Sequence, residues 1–413
     1  MARAEKFLRD EKKLDLKEWT LVESNSDKRP HRTDHTLTWQ QNEPLDPSSS
    51  STAGNNDHAY GRVDVQVLGD QVTNYRTYIK IPEDWRRKHE EFSLSRTVFS
   101  YVIPTLFFLG LGSTMLILYL KNLKSEAARS IPWRRIGFWS LGGLFGFLAV
   151  FTLGDRIATF LNLYNTAVPL KMTFAIIAIG ALFGVLFNFG GIVILFGIAW
   201  YFASRTFGVE RIPGSTRLPV EYFRDALWIG LGGAAGLLGL GRLLTAASNY
   251  WPTVHRSLPA SFGQEFDAIF PAASILGGTL IHGLFMTGIV VAVASFVAAH
   301  VRQPLLRISL LVAGALAVTG GGWGSPADLG KQFLGRLILL SVLVFGVQRL
   351  MRFNILGCFL VAASTALVSS AAELLGQPDS FYRANGYAVL LALVLLFAWP
   401  LVAWRLRTAA SSA

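Results

Sequence analysis

A single cysteine, Cys358, in 413 residues excludes any disulfide within the chain and leaves the redox compartment unreadable from cysteine usage. Charge is also scarce: 16% of residues are Asp, Glu, Lys or Arg, against about 25% in ordinary soluble domains. The chain has no HExxH, no GxSxG and no Walker sequence. His255, His282 and His300 stand too far apart in sequence to define a metal motif. No metal or other cofactor is expected. The N-terminus lacks the apolar core of a cleavable signal, so none is expected. The glycine-rich stretch 230–241 lacks the preceding strand and the ribose-binding acid of a dinucleotide fingerprint.

What the chain has in excess is apolar length. Hydrophobic residues make up 52% and mean hydropathy is +0.40. The stretch from Ile269 to His300 holds one ionisable residue, His282, before the closing histidine. A hydrocarbon core takes about 20 apolar residues of helix, so this stretch can span a bilayer. Nine such runs follow Phe99, at about 99–120, 136–154, 172–202, 226–246, 269–298, 305–321, 334–348, 353–375 and 386–404. The third and fifth are long enough to tilt, to extend past the interface or to contain a break. The sixth and seventh are short and suit a re-entrant pair. The expected fold is an all-α polytopic membrane bundle of about eight to ten transmembrane helices, preceded by a small α+β soluble domain.

That soluble domain is residues 1–98, rich in charges of both signs and nearly balanced. A short helix is expected over Lys6–Val22. His35–Gln40 reads as a strand, and Pro47–His58 as a polar loop. Arg62–Val67 and Tyr75–Ile81 alternate apolar with polar around a Gly69-Asp70 turn, the pattern of a hairpin. A lone hairpin is marginal in water, so a third strand or a helix must cover one face. Pro82, Glu83 and Asp84 suit a helix start leading through Trp85 and Arg86 towards the membrane domain, residues 99–413.

Almost all of the +11 net charge lies in that membrane half. Nine spans put 15 Lys and Arg on one side, among them Lys121, Arg134, Arg205, Arg302 and Arg405, and 11 on the other. The richer side belongs in the cytoplasm, which places residues 1–98 outside and the C-terminus inside. No basic cluster sits with aromatics in the soluble part, so nucleic acid is not an expected partner. The bilayer is, together with another membrane protein or an envelope component.

Small residues recur at i, i+4 in Gly142/Gly146, Gly180/Gly184 and Gly232/Gly236, a spacing that lets helices pack closely within one bundle. Ionisable or polar groups inside a span are the candidate functional residues. His282 and Asn188 are the two in mid-run positions. The ordinary reading of each is a hydrogen bond that glues helices. Asp155 with Arg156, Glu373, and the pair Glu265 and Asp267 fall at run ends and read as interfacial. Asn354 and Gly357 read as the start of a helix leaving a basic interface.

The soluble segments 32–39 (RTDHTLTW), 62–70 (RVDVQVLGD) and 78–85 (YIKIPEDW) resemble the extracytoplasmic region of some large bacterial CPBP-type proteins. Those are relatives of the CAAX prenyl endopeptidases and bacteriocin-processing proteins. The resemblance covers about residues 30–90, and the bundle only in general pattern. It implies a bacterial inner (cytoplasmic) membrane location, with this region outside and a membrane segment upstream of it. The family's Glu-Glu pair followed by Arg does not carry over. The only such pair, Glu90-Glu91, has Arg96 one position too far and precedes the first span. The run Gly278–Phe285, where that pair would be expected, holds His282 and no carboxylate. The expectation is a non-catalytic relative that binds a partner. An intramembrane protease with an atypical site near His282, and a small-molecule transporter built on His282 with Asn188, are the alternatives.

Overall fold

The computed structural model describes residues 1–28, 32–45, 58–83, 93–154, 168–207, 220–248, 268–320, 326–350 and 354–412, and residues 156, 160, 164 and 250 singly. It divides into two compact units, Met1–Val98 and Phe99–Ala413.

In the first unit, strands β1 (Trp19–Lys28), β2 (Thr33–Gln41), β3 (Tyr60–Leu68) and β4 (Gln71–Lys80) form one antiparallel meander in that order. The Gly69-Asp70 turn closes the β3–β4 hairpin, with Gly69 at φ +63°, a conformation glycine adopts without steric cost. Val63, Val65 and Val67 alternate with Arg62, Asp64 and Gln66, so β3 buries one face. Helix α1 (Ala2–Asp10) covers that face, placing Ala4 and Leu8 against Leu37, Trp39 and the three valines. On the opposite face the polar groups satisfy one another. Thr38 donates to Asp64 at 2.7 Å, and Arg62 donates to Gln40 at 3.0 Å and to Glu23 at 3.1 Å.

The helix expected over Lys6–Val22 is a correction. The α-helix ends at Asp10 and Lys13 takes φ +52°. Asp15 then caps a single 3-10 turn, and from Trp19 the chain pairs with β2. After Leu21, β1 offers only exposed side chains, so it leaves no apolar alternation to read; its backbone pairing with β2 sets its register. The polar loop and the helix through Trp85 and Arg86 lie outside the described residues.

The second unit is a helical bundle. Its long elements are α2 (Ile103–Lys121), α3 (Trp133–Leu153), α4 (Leu170–Phe207), α5 (Val220–Ser248) and α6 (Pro271–His300). They are followed by α7 (Pro304–Ala317), α8 (Pro326–Phe345), α9 (Ile355–Leu375) and α10 (Ser380–Ser412). Each of the nine apolar runs is a helix. Eight are long and apolar enough to cross a membrane, α7 being the short one, and the chain is a multi-pass membrane protein. The third and fifth runs are continuous helices. The seventh run reaches spanning length because its helix begins earlier, at Pro326, and a π-helical turn at Gly346–Leu350 continues α8.

Contacts fix the direction of each helix. The start of α6 meets the end of α3, where Phe270 N–H donates to Leu153 at 3.1 Å. It also meets the start of α10, where Ala272 N–H donates to Asn385 at 3.0 Å. The end of α6 meets the end of α4 through Thr206 and the Ser295 carbonyl at 3.2 Å. Tyr119 and Tyr201 join the ends of α2 and α4, with ring centroids 5.4 Å apart. Arg407 near the end of α10 lies 4.8 Å over the Phe223 ring at the start of α5. Chain direction therefore alternates, and α7 with α8 makes an excursion that leaves and regains one end. That end carries Lys121, Arg134, Arg205, Arg224, Arg302 and Arg405 and is called the basic end below. The chain enters the bundle at the other end and leaves it at the basic end.

Helix α6 is the centre. Its closest approach is to α3, where glycines meet backbone to backbone. A Cβ on Gly146 would stand 2.6 Å from the Gly277 carbonyl oxygen, and one on Gly277 2.5 Å from that of Gly146. Gly283 faces Phe359 of α9, and Gly288 faces Leu195 of α4. Of the three i, i+4 pairs, Gly142/Gly146 serves this packing. Gly184 receives the Phe147 ring, whereas Gly180, Gly232 and Gly236 have open space before them. We predict that Gly146→Ala destabilises the bundle by about 1–3 kcal/mol through overpacking against backbone that cannot yield. Gly232→Ala should change stability by less than about 0.5 kcal/mol. Thermal unfolding of the two variants in one detergent compares them.

Candidate functional site

Around α6, successive 100° steps separate four faces. Gly277 and Leu284 turn to α3, Phe285 and Gly288 to α4, and Gly283 to α9. The fourth face holds His282, Ile289 and Val293, spaced by seven and four residues. Opposite it stand α2, α7 and α8, which pack on one another while their backbones approach α6 only loosely.

The space left between is a cavity of about 340 Å³. Phe107, Phe108 and Leu111 come from α2, and Ile289 to Val297 from α6. Ile308 to Val318 come from α7 and its end, and Leu340 to Val347 from α8. Of its 19 lining residues, 17 are apolar; the exceptions are Arg307 and Gln348. Both exceptions sit at the basic end, Arg307 in the first turns of α7 and Gln348 in the π turn after α8. Side chains lean towards a helix N-terminus, and Arg307 follows this rule. Its Nε donates to the carbonyl of Val301 at 2.7 Å, holding the guanidinium at the junction of α6 and α7. Among the described residues Arg307 has no carboxylate partner, and no Asp or Glu occurs between His300 and Ala317.

The two residues singled out by sequence part company here. His282 is exposed on the cavity-facing side of α6 but lies two turns beyond the lining residues, and among the described residues it has no hydrogen-bond partner. Asn188 is buried in α4 and donates at 2.8 Å to Gly184, one turn back on its own helix. No hydrogen bond joins the two, so the pairing weighed for a transporter is not formed. Asp155, Glu265 and Asp267 lie outside the described residues, while Glu373 is exposed at the end of α9. Among the described residues no three His, Cys, Asp or Glu gather.

Asn354 does start a helix, as read from sequence. Its Oδ1 accepts from Gly357 N–H at 2.9 Å and its Nδ2 donates to the Tyr222 carbonyl at 3.0 Å, while the Tyr222 hydroxyl accepts from Leu356 N–H at 3.1 Å. One cap thus ties the starts of α5 and α9 together. The residues that sequence reasoning passed over are Arg307 and Gln348. Arg307 is one of the 15 basic residues of the richer side and reads there as a loop charge, although it follows Pro304 by three residues inside an apolar run.

Two substitutions separate structural from idle polar groups. Asn354→Ala should cost about 1–2 kcal/mol through the lost cap, whereas His282→Leu should leave stability within about 0.5 kcal/mol. Unfolding of the detergent-solubilised protein reads both. No family model, no curated protein and no solved structure matches the chain.

Proposed function

We propose that this membrane protein houses a lipid-like molecule in the cavity between α2, α6, α7 and α8, without hydrolysing it. It presents residues 1–98 on the side of the membrane opposite the basic end. The observation that carries this reading is the lining: 17 apolar residues and two polar ones, both at one end. Lipid tails around the bundle are as apolar as this lining, so hydrophobic transfer selects nothing and shape and end-on polarity must supply selectivity. Hydrolysis would need a positioned base within reach of the scissile bond, and among the described residues the cavity lining offers no carboxylate and no histidine. Proton-coupled transport draws on Asp, Glu or His chains across the span; His282 and Asn188 do not form one.

Orientation rests on charge. The basic end collects the richer set of Lys and Arg, which favours the cytoplasm. Alternating helices then carry the chain's entry to the outside. A kinship with CPBP-type proteins belongs to the same proposal and is supported by the quoted segments alone. In that setting the soluble unit recruits a membrane partner or envelope component.

Two experiments test the reading. In reconstituted vesicles, a phospholipid with a diazirine on its acyl chain should label peptides containing Val293, Leu311 and Leu343 more than the outer faces of α3 and α5. Ala294→Phe, which fills the cavity, should remove that excess; labelling spread evenly and indifferent to the substitution would sink the proposal. For orientation, Cys358→Ser with a single cysteine at Ser50 should react with an impermeant maleimide in intact cells, and one at Ser411 only after lysis. Equal access would show an even number of crossings.

A further inference from the structure

The cavity has a direction, and the direction selects a ligand. We infer that it is a binding site for an anionic phospholipid of the leaflet at the basic end, with one acyl chain in the cavity and its phosphate at the Arg307 guanidinium. This rests on the reading of the cavity proposed above and names its ligand.

Depth is the first argument. From Arg307 to Ala317 the chain advances about 15 Å along α7, and from Ile289 to Val297 about 12 Å along α6, at 1.5 Å per residue. That is close to half of a hydrocarbon core of about 30 Å. The cavity therefore reaches from one interface to about mid-membrane, the depth of one leaflet. Its volume of about 340 Å³ lies at the lower end of ligand pockets. It suits one chain, the second chain lying outside against the exposed Leu305 and Leu306.

Charge is the second argument. Arg307 is tethered through Nε to Val301, which keeps its guanidinium at the cavity's polar end, the mouth on this reading. Exposed Arg302 stands beside it, and the first N–H groups of α7 add the positive end of a helix dipole. Gln303, the N-cap of α7, makes no side-chain cap, so those N–H groups are not taken by it. Gln348 supplies an amide on the facing helix. A phosphate finds donors here, and a second cation such as choline finds like charges. The mouth thus discriminates against zwitterionic headgroups, while the apolar body holds the chain whatever the headgroup.

The test uses the full-length protein in vesicles with diazirine-chain phosphatidylglycerol or phosphatidylcholine at equal concentration, and reads labelling of the cavity peptides. The wild type should favour phosphatidylglycerol by about fivefold or more, the effect of one basic residue at an anionic surface. Arg307→Gln should bring the ratio towards one, and Arg307→Lys should keep most of it. A wild-type ratio near one overturns the headgroup assignment and leaves the cavity reading intact, as does a ratio that survives Arg307→Gln. Failure of both lipids to label the cavity overturns the cavity reading and the assignment with it. A fatty-acid probe that competes as well as phosphatidylglycerol would also overturn the assignment, since the site would then read any anion on a chain.

Discussion

The contact between Gly146 and Gly277 sets the geometry of the bundle. Lipid tails are as apolar as the side chains that face them, so association of membrane helices draws little from hydrophobic burial. Close packing must supply it, and nowhere is packing closer than where each glycine leaves no room for a Cβ on the other. With α3 held against α6 at this point, Gly143 admits Ile192 of α4 and Gly288 admits Leu195 and Phe196. Three helices are thereby locked around one axis. Gly283 extends the same logic to α9 through Phe359 and Ala363. Gly277, Gly283 and Gly288 of α6 are spent on these three faces, whereas the fourth presents mainly branched side chains beside Ala294.

That asymmetry accounts for the cavity. Ile289, Val290, Val293 and Val297 are branched and cannot let a backbone approach as glycine does. On the other side α7 has 14 residues, about 21 Å of helix, too short to pack along the full height of α6. It packs instead against α2, where Gly314 meets the Phe107 ring, and against α8. The outer helices therefore form a layer of their own, and the space behind it carries its two polar lining residues at the end where α7 begins. Pro304 in the first turn suits that beginning, since its missing N–H is one that a helix start leaves unbonded anyway.

Much of this was legible in the sequence, and the remainder was hidden for definite reasons. The nine apolar runs are long enough that composition alone gives helices, and Val63–Val67 alternates plainly enough to give a strand. Strand β1 was not legible because residues 23–28 bury no side chain; its register is set by β2. The cavity was not legible because its lining comes from four helices spread between Phe107 and Gln348 and is almost wholly apolar. Hydrophobic residues in a hydrophobic run carry no mark of which neighbour they lack. His282 drew notice for the opposite reason: polarity in a run is conspicuous, although here it sits on the one face of α6 that no helix covers closely.

Arg307 shows how a residue can look like topology and belong to a site. A basic residue one turn inside a helix is usually a snorkelling anchor, its stem along the lipid and its charge in the headgroups. Arg307 snorkels, but its head is tied to the carbonyl of Val301 rather than left to water. A free arginine samples many rotamers and contributes little to any one contact. A tethered one has already lost that freedom on folding, so the next anion it meets costs less entropy to hold. The tether also ties the guanidinium to the α6–α7 junction, which is the rim of the cavity. One hydrogen bond thus turns a positive charge of the interface into a fixed boundary for whatever lies below it.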